Sequence, residues 1–248
     1  MNKVMIVTGA GRGIGAAIAR RAAKDGYAVC VNYANSRADA EKVVAEITAG
    51  GGKAVAVQAD VSKDADVVRL FKETDEKLGK VTALVNNAGI VVRMCRADAM
   101  TEDILQKIFA ANVFSVFYCT REAIKRMSTK NGGTGGVIIT MSSAAARHGG
   151  LPEETHYAAS KGALDSMIMG LAKEVGNEGV RVVSLRPGLI TTEIHNAHGG
   201  QALLDKAGPT VPIGRAGRPD EVAEAVVWLA SDAASYIHGT TIDVAGGR

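Results

Sequence analysis

Short apolar runs rich in β-branched residues alternate along the chain with longer stretches in which apolar positions recur at helical spacing. The runs predict strands at 4–8, 28–33, 54–58, 83–86, 137–141, 181–185 and 240–244. The stretches predict helices near 14–25, 36–49, 63–78, 101–109, 112–130, 157–176 and 219–231. The last opens on Pro219 at a first helical position, where a missing N–H costs nothing. Most strand runs are continuously apolar rather than alternating, so helices must cover both faces of the sheet.

That alternation is the mark of βαβ units in a parallel sheet, and 248 residues suffice for one core. The expected fold class is α/β: a single-domain doubly wound Rossmann fold with a seven-stranded parallel sheet, occupying 1–248. Residues 131–136, Asn-Gly-Gly-Thr-Gly-Gly, read as a loop because a strand follows at once. Residues 188–213 show no clear periodicity and carry Gly199-Gly200, Pro209 and Pro212. Long irregular loops in compact domains are mostly functional, so about 189–213 is expected to roof a substrate as a lid.

Composition narrows the classes. With 47% hydrophobic residues, 22% charged residues and a net charge of +3, the chain has the make-up of a globular protein. Its basic residues are scattered among acidic ones, so no stripe is available to neutralise a phosphate backbone and nucleic acid is not an expected partner. No apolar run approaches the roughly 18 residues that span a bilayer. The N-terminus passes from Met1-Asn2-Lys3 directly into a strand, so no membrane partner and a cytoplasmic location are expected. Cys30, Cys95 and Cys119 are odd in number and lack CxxC spacing, which makes them filler rather than redox or metal groups. His195-x-x-His198 lies in a Gly-rich stretch without a third ligand, so no metal is expected.

Three motifs carry chemistry. Thr8-Gly9-Ala10-Gly11-Arg12-Gly13-Ile14-Gly15 stands between the first strand and an Ala-rich helix. Glycines there allow a tight turn and close approach of backbone to a pyrophosphate, while the helix start presents free N–H groups and the positive end of its dipole. A purely structural turn is the alternative for this motif taken alone. Tyr157-Ala-Ala-Ser-Lys161 places a phenol and an ammonium four residues apart on one helix face. The ammonium is expected to lower the phenol's pKa toward neutrality, suiting it to proton transfer. Ser142-Ser143 closes the strand 137–141, at the carboxyl end where parallel sheets bind ligands, and a hydroxyl there can donate to a substrate oxygen.

In order and spacing these residues, together with Asn86-Asn87-Ala88-Gly89, Asn112 and Pro187-Gly188, resemble the short-chain dehydrogenase/reductase family from residue 3 to the C-terminus. The similarity looks nearest to bacterial glucose or ribitol dehydrogenase-like members. The resemblance implies Tyr157 as acid and base, Lys161 as ribose ligand and modifier of the phenol, Ser143 as carbonyl orienter and Asn112 as holder of a relay water. Ser142 stays open as an alternative to Ser143, because the stretch to Tyr157, with Arg147, His148, Glu153 and Glu154, looks about one residue longer than in many members.

The cofactor implied is NADP(H), held by Gly9, Arg12, Gly13, Ile14, Gly15, Tyr33, Ala34, Asn35, Ser36, Arg37, Asp60, Val61, Asn87, Ala88, Gly89, Tyr157, Lys161, Pro187, Gly188, Ile190 and Thr192. The segment Val31-Asn32-Tyr33-Ala34-Asn35-Ser36-Arg37 lacks the carboxylate that binds ribose hydroxyls in NAD sites, while Arg12 and Arg37 can reach a 2′-phosphate. Asp60 either accepts from the adenine amino group or caps a helix near Ser62. Val91, Val92, Met94, His148, Glu153, Leu189 and His195 are expected around the substrate, and their mixed character favours neither a polyol nor an acyl chain.

The function expected from the resemblance is hydride transfer between the nicotinamide and a small carbonyl or alcohol substrate. A 3-oxoacyl-[acyl-carrier-protein] reductase and a non-catalytic NADP(H)-sensing protein are the alternatives. A homotetramer is expected from the resemblance and from small apolar positions on helices 112–130 and 157–176, among them Ala158, Ala159, Ala163, Met167 and Leu171.

Overall fold

The computed structural model describes residues 3–193 and 200–248, so Met1, Asn2, His195 and His198 lie outside the described residues. Seven strands are all parallel: β1 (Lys3–Val7), β2 (Tyr27–Tyr33), β3 (Ala54–Gln58), β4 (Ala83–Asn86), β5 (Gly136–Met141), β6 (Val180–Pro187) and β7 (Thr241–Val244). They form one sheet in the order β3-β2-β1-β4-β5-β6-β7. The winding reverses between β1 and β4, whose register pairs Met5 with Ala83 and Val7 with Val85. A crevice opens at that reversal, beyond the carboxyl ends of the two strands.

The helices are α1 (Gly13–Lys24), α2 (Arg37–Ala49), α3 (Asp64–Leu78), α4 (Glu102–Phe109), α5 (Ser115–Met127), α6 (Ala145–His148), α7 (Thr155–Val175), α8 (Gly200–Ala207) and α9 (Pro219–Ala230). The pleat splits the strand residues between two cores. Met5, Val7, Val29, Val31, Val85 and Ile139 pack with α1, α2 and α9. Val4, Ile6, Cys30, Leu84, Ile138 and Val182 pack with α3, α5 and α7 on the other face. This two-sided burial is why the strands read as continuous apolar runs. Ile18, fully buried on the core-facing side of α1, illustrates the stake: truncating such a residue to Ala costs about 2–5 kcal/mol.

Three departures from the sequence reading have local causes. The segment 188–213 is not structureless: α8 lies in it, but eight residues between Gly200 and Gly208-Pro209 are too few for periodicity to show, and only Leu204 of the helix is buried. The helix expected from 112 begins earlier, because α4 continues through one wide π turn, Ala110–Phe114, into α5. Finally, α7 begins at Thr155, which places Tyr157 in its first turn.

Candidate active site

The glycine turn is shaped by three polar side chains from neighbouring segments. Asn32, buried near the end of β2, accepts from the Gly9 N–H at 3.2 Å and donates to the carbonyls of Val57 and Ala59. Thr8 Oγ1 accepts from the N–H groups of Asn87 and Ala88 at 3.0 and 2.9 Å, and Asn87 Nδ2 returns a bond to the Thr8 carbonyl at 2.8 Å. Close approach follows: a Cβ at Gly15 would fall 2.5 Å from Asn87 Nδ2 and 2.5 Å from the Gly9 carbonyl. Gly9 and Gly13 hold φ of 62° and 56°, where side chains are strained. No side chain caps α1 and no acidic residue lies in its first turn, so its free N–H groups and dipole suit an anion.

At the carboxyl end of β5 the chemistry-bearing groups converge. Lys161 Nζ is buried and donates to the Met141 carbonyl at 2.8 Å, and it sits 5.9 Å from the centre of the Tyr157 ring. Ser142 turns inward, its hydroxyl donating to the Lys161 carbonyl at 3.1 Å. It therefore anchors α7 to the strand end. Ser143 faces the cleft, accepts from the Ala145 N–H at 3.2 Å and hydrogen-bonds the Tyr157 phenol. That division between the two serines favours Ser143 as the substrate-facing hydroxyl.

Electrostatics differ from the expectation for Tyr157. Burial pushes the phenol's pKa up, the Ser143 hydrogen bond pulls it down, and the Glu154 carboxylate raises it further. Lys161 does not depress the phenol in this structure; its own ammonium is lowered to about 8 by burial, against a smaller upward pull from Asp165. The direction is therefore opposite to the one expected from four-residue spacing, with desolvation the largest cause.

Asn112 lies in the π turn and is fully buried rather than on the cleft wall. Its Oδ1 accepts from the Ile90 N–H at 2.8 Å, and its Nδ2 donates to the Ile90 carbonyl and to Ser160 Oγ. Both ends of the amide fasten the loop after β4, and Nδ2 also ties it to α7. Gly89 passes between: a Cβ there would stand 3.3 Å from Asn112 Oδ1 and 3.4 Å from Lys161 Nζ.

A cleft of about 510 Å³ joins these parts, a size typical of small-molecule sites. Of the expected cofactor residues, Gly9, Arg12, Gly13, Ile14, Gly15, Tyr33, Ala34, Asn35, Ser36, Asp60, Val61, Asn87, Ala88, Gly89, Tyr157, Lys161, Pro187, Gly188, Ile190 and Thr192 all line it. Arg37 does not: its guanidinium turns back along α2 to Glu41 at 2.7 Å, an exposed pair one turn apart. Asp60 accepts from both the N–H and the hydroxyl of Ser62, forming a turn ahead of α3 rather than its cap, which is Lys63. Arg12 reaches Glu193 at 3.0 Å.

On the substrate side Val91, His148 and Leu189 line the cleft, whereas Val92, Met94 and Glu153 do not, and His195 falls outside the described residues. Leu151, Glu154, Leu203, Ala207 and Arg248 also line it and were not anticipated as site residues. A signal existed for Asn32, a lone amide within an apolar strand. Leu203 and Ala207 are four apart on α8, but that helix was invisible in the pattern. Among the described residues no group of three or more His, Cys, Asp or Glu side chains is placed to hold a metal, and no helix is long and apolar enough to cross a membrane. Burial raises the thiol pKa of Cys30, to about 12, and that of Cys119.

Comparison with known proteins gives concordant matches. The family model described as enoyl-(acyl carrier protein) reductase matches residues 9–248. The oxidoreductase YgfF of Escherichia coli (strain K12) is 45% identical over 245 residues, covering 99% of each chain. A 3-oxoacyl-[acyl-carrier-protein] reductase of Synechocystis sp. is 39% identical over 246 residues, covering 99% of this chain and 96% of that one. The crystal structure of a short-chain dehydrogenase from Burkholderia cenocepacia in complex with NADP superposes with a TM-score of 0.90 at 34% identity, covering 99% of this chain and 97% of the other.

Proposed function

The chain belongs to the short-chain dehydrogenase/reductase family, and on that premise we propose that it is an NADP(H)-dependent oxidoreductase interconverting a small carbonyl compound and its alcohol. The observation that carries this reading is the convergence of Ser143, Tyr157 and Lys161 at one end of a cleft whose other end is the uncapped glycine turn of α1. The residues present fit the dinucleotide: a cradle that side chains at Gly9, Gly13 and Gly15 would spoil, and free helical N–H groups for its phosphates. Bound there, the nicotinamide donates or accepts the hydride.

The chain's own residues manage the proton. In reduction Tyr157, kept protonated at neutral pH by burial and by Glu154, donates its hydroxyl proton to the carbonyl oxygen. Ser143 donates a hydrogen bond to the same oxygen and stabilises the charge that develops on it. Lys161, held by the Met141 carbonyl, keeps a positive charge beside the phenol and balances the phenolate left after transfer. The reverse sequence oxidises an alcohol.

For the 2′-phosphate, the end of β2 offers the amide and hydroxyl of Asn35 and Ser36 and no carboxylate, with Arg12 on the facing wall. Of the segment expected as a lid, Leu189, Ile190, Thr192 and Glu193, with Leu203 and Ala207 of α8, line the cleft and cover the substrate in this reading. A homotetramer with no nucleic-acid or membrane partner, acting in the cytoplasm, completes the reading. The test is consumption of NADPH and NADH against a panel of sugars, diketones, aldehydes and acyl thioesters; binding of cofactor without turnover of any of them overturns it.

A second reading, reduction of 3-oxoacyl groups on a carrier protein, draws support from the Synechocystis relative. A carrier-bound thioester turned over at least about tenfold more efficiently than every free carbonyl would favour it.

A further inference from the structure

Across the carboxyl ends of β6 and β7 runs a chain of four charges of alternating sign. Arg186 of β6 donates from Nε to Asp165 Oδ2 of α7 at 2.8 Å, and its Nη1 lies 3.5 Å from Asp243 Oδ1 of β7, which in turn pairs with Arg147 of α6. None of the four lines the cleft. The chain sinks inward toward α7: the Arg147 side chain is 56% exposed, those of Arg186 and Asp165 only 19% and 15%. At its inner end Asp165 Oδ1 is buried and accepts no hydrogen bond. A buried acceptor without a donor is costly and calls for a reason. Asp165 stands one turn beyond Lys161 in the interior of α7, so their Cβ atoms lie about 5–6 Å apart on one helix face.

We propose that Asp165 is a positioning residue of the reaction: its carboxylate acts across one helical turn to keep Lys161 an ammonium, and Arg186 grades that action by neutralising part of the carboxylate's charge. The assignment deepens the oxidoreductase reading and rests on it for the use that turnover makes of the charge. Burial disfavours the ammonium and holds its pKa near 8, and Asp165 pulls it back upward. The other groups facing Lys161 leave that task to Asp165. Tyr157 is neutral at neutral pH, with Glu154 acting on it. From β5 comes the Met141 carbonyl, and from the π turn the Asn112 amide. His148 of α6 and Glu102, Asp103 and Lys107 of α4 are exposed, while Arg181 and Glu178 sit toward the far end of α7. A one-point pair such as Arg186 with Oδ2 orients the carboxylate and leaves its second oxygen unneutralised, which a bidentate pair would not. Lys161 thereby retains the charge that the phenolate needs when Tyr157 gives up its proton.

The titration of Lys161 can be read in two independent ways. The first needs neither cofactor nor substrate. Urea unfolding with and without Lys161→Met, between about pH 7 and 10, locates it, because a depressed ammonium destabilises the fold until it begins to deprotonate. In the Asp165→Asn background, which keeps an acceptor for Arg186 and removes the charge, the onset of that relief should move down by about one pH unit. Asp165→Glu should leave it near the wild-type position, and Arg186→Gln should move it up. The second readout is the alkaline limb of kcat/KM for reduction by NADPH, which should move in the same directions. Asp165→Asn then loses about tenfold on the limb and little on the plateau. An onset unmoved by Asp165→Asn, or moved the same way by Asp165→Asn and Arg186→Gln, makes the pair a brace and overturns the assignment. An onset that moves while the limb stays also overturns it, since turnover then makes no use of the charge. Should Asp165→Asn fail to fold, Arg186→Gln decides: an onset that does not rise sinks the assignment. Absence of turnover across the carbonyl panel overturns the oxidoreductase reading and this role together, and the unfolding series tells that failure from a failure of Asp165 alone.

Discussion

Arg12 Nη1 stands 3.0 Å from Glu193 Oε2, joining the glycine turn to the segment that leaves β6, and both residues line the cleft. The pair is exposed, 65% and 59% at the side chains, and such pairs hold by only about 0–1 kcal/mol. A phosphate dianion should displace the carboxylate. Arg12→Ala is therefore expected to weaken NADPH by about ten- to hundredfold and NADH hardly at all. Glu193→Gln, by freeing the guanidinium, should tighten NADPH by up to about fivefold. Fluorescence titration of both cofactors decides: equal losses for the two in Arg12→Ala would remove the 2′-phosphate role.

Tyr157→Phe removes the phenolic hydroxyl and keeps the ring. Turnover should fall by at least about a hundredfold, the contribution of a positioned general acid, with the NADPH dissociation constant within about twofold. A variant retaining more than about a tenth of the rate would reassign the proton donor.

The direction of the Tyr157 shift sets the pH dependence. Its pKa is raised by burial and by Glu154, so the protonated form dominates at neutral pH. Reduction needs that form and should hold a plateau through neutral pH, falling only on the alkaline side. Alcohol oxidation needs the phenolate and should rise over the same alkaline range. Profiles of kcat/KM in both directions report the free enzyme; an acidic limb for oxidation completed below neutrality would contradict the structure.

Lys161 makes a prediction about stability without cofactor. Its ammonium is lowered from 10.5 to about 8, which means the folded state binds its proton less readily than the unfolded state. Below pH 8 the full penalty applies, about 3 kcal/mol, and it fades as pH rises toward 10.5. Urea unfolding of wild type against Lys161→Met, at pH 7 and again at pH 9.5, isolates the group. Relative to the variant, wild type should gain about 2 kcal/mol between the two. No change in the difference would mean the ammonium is better solvated than its surroundings indicate.

What could be read from the chain alone was whatever depends on near neighbours in sequence. Continuous apolar strands, glycines 9, 13 and 15 around the start of α1, and the four-residue spacing of Tyr157 and Lys161 each imply their geometry locally, and each is found. What depends on distant partners was not legible. Arg37 was expected at a phosphate, and in the structure its guanidinium lies on Glu41 and off the cleft lining; both residues were visible, but nothing in sequence ranks an intrahelical partner against an absent ligand. Asn112 was expected to hold a relay water, and its side-chain amide bonds Ile90 and Ser160, contacts that exist only once α7 is docked. A lowering of Tyr157 by Lys161 was expected, but the desolvation that raises the phenol belongs to the assembled core.

The wide turn at Ala110–Phe114 accommodates one residue more than an α-helix would at the same place. Each residue of a regular helix turns the chain by 100°, so deleting Ala110 or Ala111 to regularise the path forces a choice. Either Asn112 rotates away from Ile90, or everything downstream rotates and Val116, Cys119, Ala123 and Met127 leave the core. Length at this point is therefore fixed more tightly than residue identity. Lineages carrying this site should accept insertions and deletions in the glycine-rich loop at 131–136 while refusing a single-residue gap between α4 and α5.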